Sequence, residues 1–188
     1  MQRGDHAPLP LEALVERHEQ ALRRFLGFHA ATVVRRRESI SDLVQTVFRE
    51  LLAADRPLQF DGDAHFRHWL FATARNKLRD RLKFHLRHRR DVRRECSLTV
   101  ADGERTDCWR DAAATFCTPA TAVVSDEEIA RIERCLQALS DDHREVILLR
   151  QLGDLSAAAI GAILGRGEAA TRALLSRALA RFSTLLLE

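Results

Sequence analysis

Apolar residues recur at helical spacing through most of the chain, and this pattern predicts an all-α fold. Residues 11 to about 30 carry leucines and Phe25 on one side, which is typical of an amphipathic helix. A second apolar stripe follows over residues 41–54, and after a break one long helix is predicted from residue 64 to about 90. No stretch alternates apolar and polar residues as a half-buried strand would.

The helical spacing resumes near residue 125 and predicts a second group of helices. Ser125 followed by Glu128 forms a capping box, so a helix is expected to begin there, and Ser140 precedes the next one. Residues 156–164, a break at "GRG" and a further helix from Glu168 have the layout of a helix-turn-helix. An ordinary helical hairpin would have the same local pattern.

The segment between the two groups of helices has no periodicity. Gly, Asp, Thr and Pro are mixed there with scattered apolar residues, as in a linker. The predicted architecture is therefore two helical bundles, residues 1–94 and 125–188, joined by a linker over residues 95–124.

Charge is distributed unevenly along the chain. The formal net charge is only +3, yet residues 75–94 hold ten Lys or Arg against two Asp. Arginine outnumbers lysine by 28 to two in the whole chain, and its guanidinium is the better donor to phosphates and base edges. A basic helix in a near-neutral chain predicts a polyanionic partner such as nucleic acid.

Several function classes are disfavoured by what the sequence lacks. No apolar run is long enough to span a bilayer, and the first residues lack the apolar core of a secretory signal, so we expect a cytoplasmic protein without a membrane partner. The four cysteines form no CxxC pair, so unligated thiols are expected, with a zinc site as the alternative. No cofactor or metal is predicted. The cysteines are Cys96, Cys108, Cys117 and Cys135.

An enzyme is the least favoured of the functional hypotheses. His65, His68, Asp61 and Asp63 are close in sequence and carry groups that a metal-dependent nuclease or phosphohydrolase uses. They fall around a helix-capping loop, and no second ligand cluster or phosphate-binding glycine motif accompanies them. The sequence therefore predicts a protein that is not an enzyme.

Four short motifs mark the C-terminal group of helices. They are Arg144-Glu145-Val146, Leu155-Ser156, Leu164-Gly165 and Leu175-Ser176-Arg177-Ala178. In this order they resemble region four of the extracytoplasmic-function (ECF) group of bacterial sigma factors, which belongs to the sigma-70 family. One departure is Leu174, which stands where the family commonly carries a second basic residue after the one matched by Arg172.

Two stretches extend the resemblance to the N-terminal bundle. They are "DLVQTVFRELL" (residues 42–52) and "FRHWLFATARNKLRDRLK" (residues 66–83). Both resemble region two of the same family, so two independent motif sets occur in the family's order. The resemblance implies an alternative sigma factor that binds the beta-prime and beta subunits of the bacterial RNA polymerase core and directs promoter-specific transcription initiation.

Holding an opened DNA strand at the minus-ten element requires cations for phosphates and polar groups for bases. The residues of the long helix expected to supply them are Arg75, Asn76, Arg79 and Arg81. Phe66 and Trp69 could stack on bases, but their position on the apolar stripe favours the core. At the minus-35 element, the start of the second helix of the helix-turn-helix is expected in the major groove, where Arg reads guanine. The residues assigned there are Arg166, Glu168, Arg172 and Arg177.

The polar side of the second helix resembles the surface with which the family docks on the clamp helices of the beta-prime subunit. The residues implied are Asp42, Gln45, Thr46 and Arg49. Three positions where the family often has acids carry hydroxyls instead, namely Ser39, Ser41 and Thr46. A phosphate adds about −1.5 to −2 charge, so Thr46 is a candidate phosphorylation site for a Ser/Thr protein kinase. The alternatives are N-capping by Ser39 or Ser41, an unmodified surface threonine, and control by an anti-sigma factor.

A stand-alone helix-turn-helix regulator of transcription is the alternative function. It would bind duplex DNA well without the polymerase core. It leaves the motif at residues 42–52 unexplained.

Overall fold

The computed structural model describes residues 10–29, 34, 38–53, 59–88 and 126–188, and every regular element in those ranges is an α-helix. The seven helices are α1 (Leu11–His29), α2 (Ile40–Leu52), α3 (Asp63–His88), α4 (Asp126–Ala138), α5 (Asp141–Gln151), α6 (Ala157–Leu164) and α7 (Glu168–Leu187). The prediction of an all-α fold is confirmed. The linker, the capping residue Ser125 and the basic residues 89–94 lie outside the described residues.

Helices α1, α2 and α3 pack on one another and form the N-terminal module, which comprises the described residues up to position 88. Their apolar faces meet in one core, where burial of each large side chain contributes about 1.5–3 kcal/mol. The largest fully buried side chains of this module are Leu22, Phe25, Leu26, Leu43, Phe66, Leu70 and Phe71. Trp69 is half-buried, with its ring 5.7 Å from that of Phe60. The interpretation of Phe66 and Trp69 as core residues therefore agrees with the structure.

Ser39 is the N-cap of α2. Its backbone is extended, and its hydroxyl accepts a hydrogen bond from the backbone N–H of Asp42 at 3.0 Å. Ser41 lies inside the first turn instead, where the Arg23 guanidinium donates to its hydroxyl at 2.9 Å. Helix α2 consequently begins at Ile40, one residue earlier than the apolar spacing predicts.

Asp63 is the first residue of α3 and joins that helix to α1. Its Oδ1 lies 2.6 Å from His18 Nε2, and Arg67 approaches its Oδ2 at 3.1 Å. Burial raises the pKa of the Asp63 carboxyl, but the hydrogen bond and charge of His18, with the charges of Arg67 and Arg17, together hold it below its ordinary value. The carboxylate is thus engaged in structural contacts. Within the described ranges, no group of three or more His, Cys, Asp or Glu residues could hold a metal ion.

Helices α4 to α7 form the C-terminal module. Helix α5 contacts both α6 and α7, and its residues Val146 to Leu149 are buried in succession. The Arg144 guanidinium donates to the carbonyl oxygens of Leu136 at 2.8 Å and Leu139 at 3.0 Å, at the end of α4. These bonds satisfy carbonyls that a helix C-terminus otherwise leaves unpaired.

A tight turn joins α6 to α7 and forms the predicted helix-turn-helix. The Ser156 hydroxyl caps α6 by accepting from the Ala159 N–H at 3.1 Å. Gly165 ends α6 with a φ of 68°, a conformation that costs glycine little. A Cβ at Gly161 would lie only 2.6 Å from the carbonyl oxygen of Arg166, so the turn folds closely against the backbone of α6.

The two modules lie against each other, a contact that the sequence does not predict. Helix α1 contacts α5, and α3 contacts α6. The fully buried ring of Phe71 in α3 meets the Phe25 ring edge-on, with centroids 5.2 Å apart. The Phe71 Cδ2 atom lies 3.3 Å from where a Cβ of Gly153 would be, in the C-terminal module. Phe71 therefore joins the two cores.

The structure describes one of the four cysteines. Cys135 is buried with a free thiol, and its Sγ lies 3.3 Å from the carbonyl oxygen of Leu185. Cys96, Cys108 and Cys117 lie outside the described residues. Among the described helices, none is both long and apolar enough to cross a membrane.

Candidate polymerase and DNA interface

The polar face of α2 is open to solvent. Asp42, Gln45 and Arg49 are exposed, whereas Thr46 is half-buried and its hydroxyl donates to the carbonyl oxygen of Asp42 at 2.8 Å. The four residues lie at positions i, i+3, i+4 and i+7, so they share one side of the helix. The apolar stripe of α2 faces the core on the opposite side, which leaves this polar face accessible to a protein partner.

A row of polar and basic side chains follows the exposed side of α3. Asn76 and Arg79 are exposed and one turn apart, and Lys83 and Arg87 continue the same side further along the helix. These four residues are named the basic stripe. Arg81 lies beside the stripe with a side chain 39% exposed, and its Nε is 3.4 Å from Glu38 Oε2.

Arg75 differs from its three predicted companions because it faces the C-terminal module. Its Nε donates to Glu145 Oε1 at 2.5 Å and its Nη2 to Oε2 at 3.3 Å, in a two-pronged pair. Its Nη1 donates to the carbonyl oxygen of Ile163 at 3.1 Å. Glu145 Oε1 also lies 3.1 Å from His29 Nε2. Arg75, Glu145 and His29 are named the inter-module bridge.

The inter-module bridge is withdrawn from water. The side chains of Arg75, Glu145 and His29 are only 13%, 12% and 22% exposed. Burial raises the pKa of the Glu145 carboxyl, but the hydrogen bonds from His29 and Arg75 and their charges outweigh burial and lower that pKa to about 2. The carboxylate is therefore ionised throughout the physiological range of pH.

A second ion pair joins the modules at the edge of their contact. Arg67 Nη1 lies 2.5 Å from Asp154 Oδ2, and Asp154 is an exposed residue with a φ of 46°. The sequence predicts no role for Arg67, Asp154, His29 or Glu145 in joining the modules. Glu145 lies in the Arg-Glu-Val motif, but that motif carries no sign of a partner 70 residues away in the chain.

Of the residues assigned to the minus-35 element, Arg166, Glu168 and Arg172 lie around the start of α7, and Arg177 lies near its middle. Arg166, Glu168, Arg172 and Arg177 are all exposed. Arg166 Nη2 is 2.5 Å from Asp142 Oδ2, and Arg172 pairs with Glu168 one turn away.

The opposite face of α7 is buried and explains the departure at position 174. Thr171, Leu174, Ala178 and Phe182 form the stripe by which α7 packs on the module core. Leu174 is 4% exposed, so it lies in the core and away from the basic face of the helix. Arg172 and Arg177 remain on the exposed side.

Two family models match the chain in the order in which the motifs occur. The model for sigma-70 region 2 matches residues 14–90, and the model for sigma-70 region 4 matches residues 129–182. Together they cover more than half of the chain. The chain therefore belongs to the sigma-70 family of RNA polymerase sigma factors, and the resemblance to the ECF group of that family is confirmed.

Individual relatives agree with this assignment. The RNA polymerase sigma factor CnrH of Cupriavidus metallidurans is 32% identical over 155 residues, which are 78% of this chain and 73% of CnrH. The RNA polymerase sigma factor NccH of Alcaligenes xylosoxydans xylosoxydans is 33% identical over 174 residues, which are 92% of this chain and 84% of NccH.

Two solved structures are similar in fold. CnrH in complex with the cytosolic domain of CnrY has a TM-score of 0.56 and 28% identity, over 93% of this chain and 86% of that one. The sigma factor RpoE in complex with the anti-sigma factor NepR from Bartonella quintana has a TM-score of 0.63 and 21% identity, over 93% and 95%. Sigma factors are regulators of transcription and not enzymes. The matches to both sigma-70 regions do not favour a stand-alone helix-turn-helix regulator.

Proposed function

We propose that this sigma factor binds the polymerase core through the exposed face of α2 and promoter DNA through α3 and α7. Residues 1–94 then act as region 2, residues 125–188 as region 4, and residues 95–124 as the linker between them. The beta-prime and beta subunits of the core are the protein partners. Asp42, Gln45, Thr46 and Arg49 form the surface that meets the beta-prime clamp helices.

The basic stripe on α3 is the observation that carries the DNA-binding part of the proposal. From Asn76 to Arg87 the stripe is about 16 Å long at the rise of an α-helix, enough for several nucleotides of an opened strand. Cations bind the phosphates of such a strand and release its counterions, while an amide side chain bonds to exposed base edges. Asn76, Arg79 and Arg81 are assigned to the minus-ten strand on these grounds.

The exposed start of α7 supports a contact with duplex DNA at the minus-35 element. Arg172 and Arg177 project from the helix that a helix-turn-helix inserts into the major groove, where each guanidinium matches the acceptors of guanine. Arg166 and Glu168 stand at the N-terminus of that helix, where base edges and phosphates are nearest. Their ion pairs with Asp142 and Arg172 are within the module and would exchange for DNA contacts.

Removal of one stripe cation should weaken promoter opening. The assay uses reconstituted polymerase and a promoter template that the wild-type holoenzyme selects from genomic DNA. Arg79→Ala is expected to lower the affinity of the holoenzyme for this template about tenfold, because one charge-assisted hydrogen bond contributes ~1.5 kcal/mol. The dependence of log affinity on log salt should fall by about one, the value for one lost phosphate contact. Arg134→Ala, which removes an exposed arginine from α4, is the matched control. Equal effects of the two variants, or tight promoter binding without the core, would reject this function.

We further propose that Thr46 is a phosphorylation site that restores an acid to the polymerase-binding face. Thr46 lies between exposed Asp42 and exposed Arg49 on that face, and its side chain is partly accessible. Ser39 and Ser41 are less suited, because the Ser39 hydroxyl caps α2 and the Ser41 hydroxyl accepts from Arg23 of α1, whereas the Thr46 hydroxyl bonds within its own helix. Modification of Thr46 requires only that its bond to the Asp42 carbonyl be released.

The phosphate proposal predicts a graded effect on binding to the polymerase core. Thr46→Glu is expected to bind up to about fivefold more tightly than wild type, since one exposed charge pair contributes about 0.2–1 kcal/mol. Protein treated with a Ser/Thr kinase should bind more tightly still, because a phosphate carries about −1.5 to −2 charge. Binding of Thr46→Ala to the core should not change on treatment with the kinase. A kinase effect that persists in Thr46→Ala would place the switch elsewhere.

We also propose that the chain has an anti-sigma partner. The support is the similarity to CnrH, whose solved complex contains the cytosolic domain of CnrY, at 28% identity over 93% of this chain.

A further inference from the structure

One flank of the exposed face of α7 carries an acid and a base that are paired with each other. Glu168 is the first residue of the helix, and Arg172 lies one turn further, where its Nη2 donates to Glu168 Oε1. The side chain of Glu168 is 47% exposed and that of Arg172 is 70% exposed, so both are accessible to a partner. Glu168 Oε2 and the other N–H groups of Arg172 are outside this contact. An exposed pair contributes little to stability, so the fold does not require these two residues.

The middle of the same face holds small side chains at intervals of three or four residues, which form one line along α7. They are Ala169, Ala173, Ser176 and Ala180, all exposed. Side chains of this size allow the helix to approach the floor of a major groove closely. Glu168 and Arg172 are longer and lie beside this line, so they reach the base edges next to it.

The start of α7 is held against the rest of the C-terminal module. The Arg166 N–H donates to the Gly161 carbonyl oxygen at 2.8 Å. Thr171 is fully buried, and its hydroxyl donates to the Gly167 carbonyl oxygen at 3.0 Å. The backbone is therefore fixed on both sides of Glu168. This gives the carboxylate the defined position that a base-specific contact requires.

A carboxylate and a guanidinium recognise opposite features of the base edges in the major groove. A carboxylate only accepts hydrogen bonds, and cytosine presents the N4 amino donor there. Guanine presents the acceptors O6 and N7, and thymine presents the acceptor O4, so both repel a carboxylate. Adenine is intermediate, with one donor and one acceptor. A guanidinium only donates, and it binds O6 and N7 of guanine in a two-pronged contact.

We propose that Glu168 and Arg172 determine part of the minus-35 sequence, Glu168 by selecting a cytosine and Arg172 by selecting a guanine within two base pairs of it. The inference rests on the proposed contact between α7 and the minus-35 element. Four residues of an α-helix span about 6 Å, which is less than two base-pair steps of about 3.4 Å each. On DNA the two side chains exchange their mutual hydrogen bond for these base contacts.

The test measures the base preferences of the reconstituted holoenzyme. The probe is a promoter template that the wild-type holoenzyme selects from genomic DNA, with its minus-35 region randomised. Sequencing of the bound DNA gives the relative affinity for each base at each position. For the wild-type chain, one position should prefer cytosine over guanine and thymine, and another within two base pairs should prefer guanine. Each preference should be about 5- to 150-fold.

Glu168→Gln is the decisive variant, because glutamine keeps the length of the side chain but bonds to N6 and N7 of adenine. The preference should change from cytosine to adenine at that one position, while the guanine preference remains. Glu127→Gln removes an exposed acid from α4 and is the matched control, which should leave every preference unchanged. Unchanged preferences in Glu168→Gln, or a uniform loss of affinity for all sequences, would overturn the inference. Loss of the guanine preference without a change to adenine would also overturn it, because Glu168 would then only position Arg172.

Arg172→Ala separates the inference from the proposed function. Loss of the guanine preference in Arg172→Ala, together with the change to adenine in Glu168→Gln, supports both. If Arg172→Ala alters the preferences and Glu168→Gln does not, α7 contacts the minus-35 element and the inference about Glu168 fails. The reverse result overturns the assignment of guanine to Arg172. If the wild-type holoenzyme has no base preference in the randomised region, the inference and the proposed minus-35 contact are both rejected.

Discussion

Phe71→Ala is expected to lower the free energy of unfolding by about 3–5 kcal/mol, the range measured when a buried phenylalanine is truncated. Phe71 is fully buried, stacks edge-on with Phe25, and reaches Gly153 of the other module. Truncation removes the apolar surface that the Phe71 ring buries and leaves a cavity where the two cores meet. Because a domain of this size is stable by only about 5–15 kcal/mol, the loss is a large part of the total.

The matched control for Phe71→Ala is Phe84→Ala on the same helix. Phe84 is 50% exposed, so its truncation should change the free energy of unfolding by roughly 0.5 kcal/mol. Urea unfolding followed by circular dichroism measures both variants. Phe71→Ala should also weaken the contact between modules, so scattering should show an expanded chain under native conditions. Equal losses for the two variants would mean that Phe71 does not join the cores.

Gly161→Ala is the second change with a large expected effect, and two terms of opposite sign compete in it. Replacement of a helical glycine by alanine favours the helix by about 1 kcal/mol. The new Cβ, however, would lie 2.6 Å from the Arg166 carbonyl oxygen and 3.0 Å from Thr171 Oγ1. The first of these atoms belongs to the backbone of the turn, which cannot move without displacing the start of α7. We therefore expect a net destabilisation of about 1–3 kcal/mol, as for other overpacked sites.

If α7 contacts the minus-35 element as proposed, Gly161→Ala should weaken that contact, because Arg166 and Arg172 move with the displaced turn. Gly167→Ala is the control, since a Cβ there meets no atom within 4 Å. Thermal unfolding and binding to promoter duplex by the reconstituted holoenzyme measure both effects. If Gly161→Ala stabilised the chain, helix propensity would dominate and the turn would have more room than the backbone indicates.

Local sequence signals were sufficient to predict the helices and the faces that they expose to solvent. Apolar spacing is set by contacts within one turn, so it located α2 and α3 to within about two residues. The cap at Ser39 needed the structure, because Ser39 and Ser41 are equally good caps by residue type. The exposure of Asn76, Arg79, Arg172 and Arg177 agrees with the helical positions from which they were assigned.

Contacts between distant parts of the chain could not be predicted in the same way. The sequence predicts a DNA contact for Arg75 and Arg79 on the same grounds. Only the structure distinguishes them, because it shows Arg75 paired with Glu145. Arg144 is recognised in the sequence as part of the Arg-Glu-Val motif. Its bonds to the carbonyl oxygens at the end of α4 could not be predicted, because they depend on where that helix ends. Leu174 looks like the loss of a basic side chain until the packing of α7 places it in the core.

The contact between modules also determines which variables can control the sigma factor. Both modules belong to one chain, so their association is intramolecular and does not depend on protein concentration. Tethered sites meet at an effective concentration on the order of millimolar. A nucleic acid that competes for the same side chains at a much lower concentration must therefore bind them more tightly. A cell therefore cannot open the molecule by synthesising more of it. Separation of the modules requires a partner that binds the separated arrangement more tightly than the packed one.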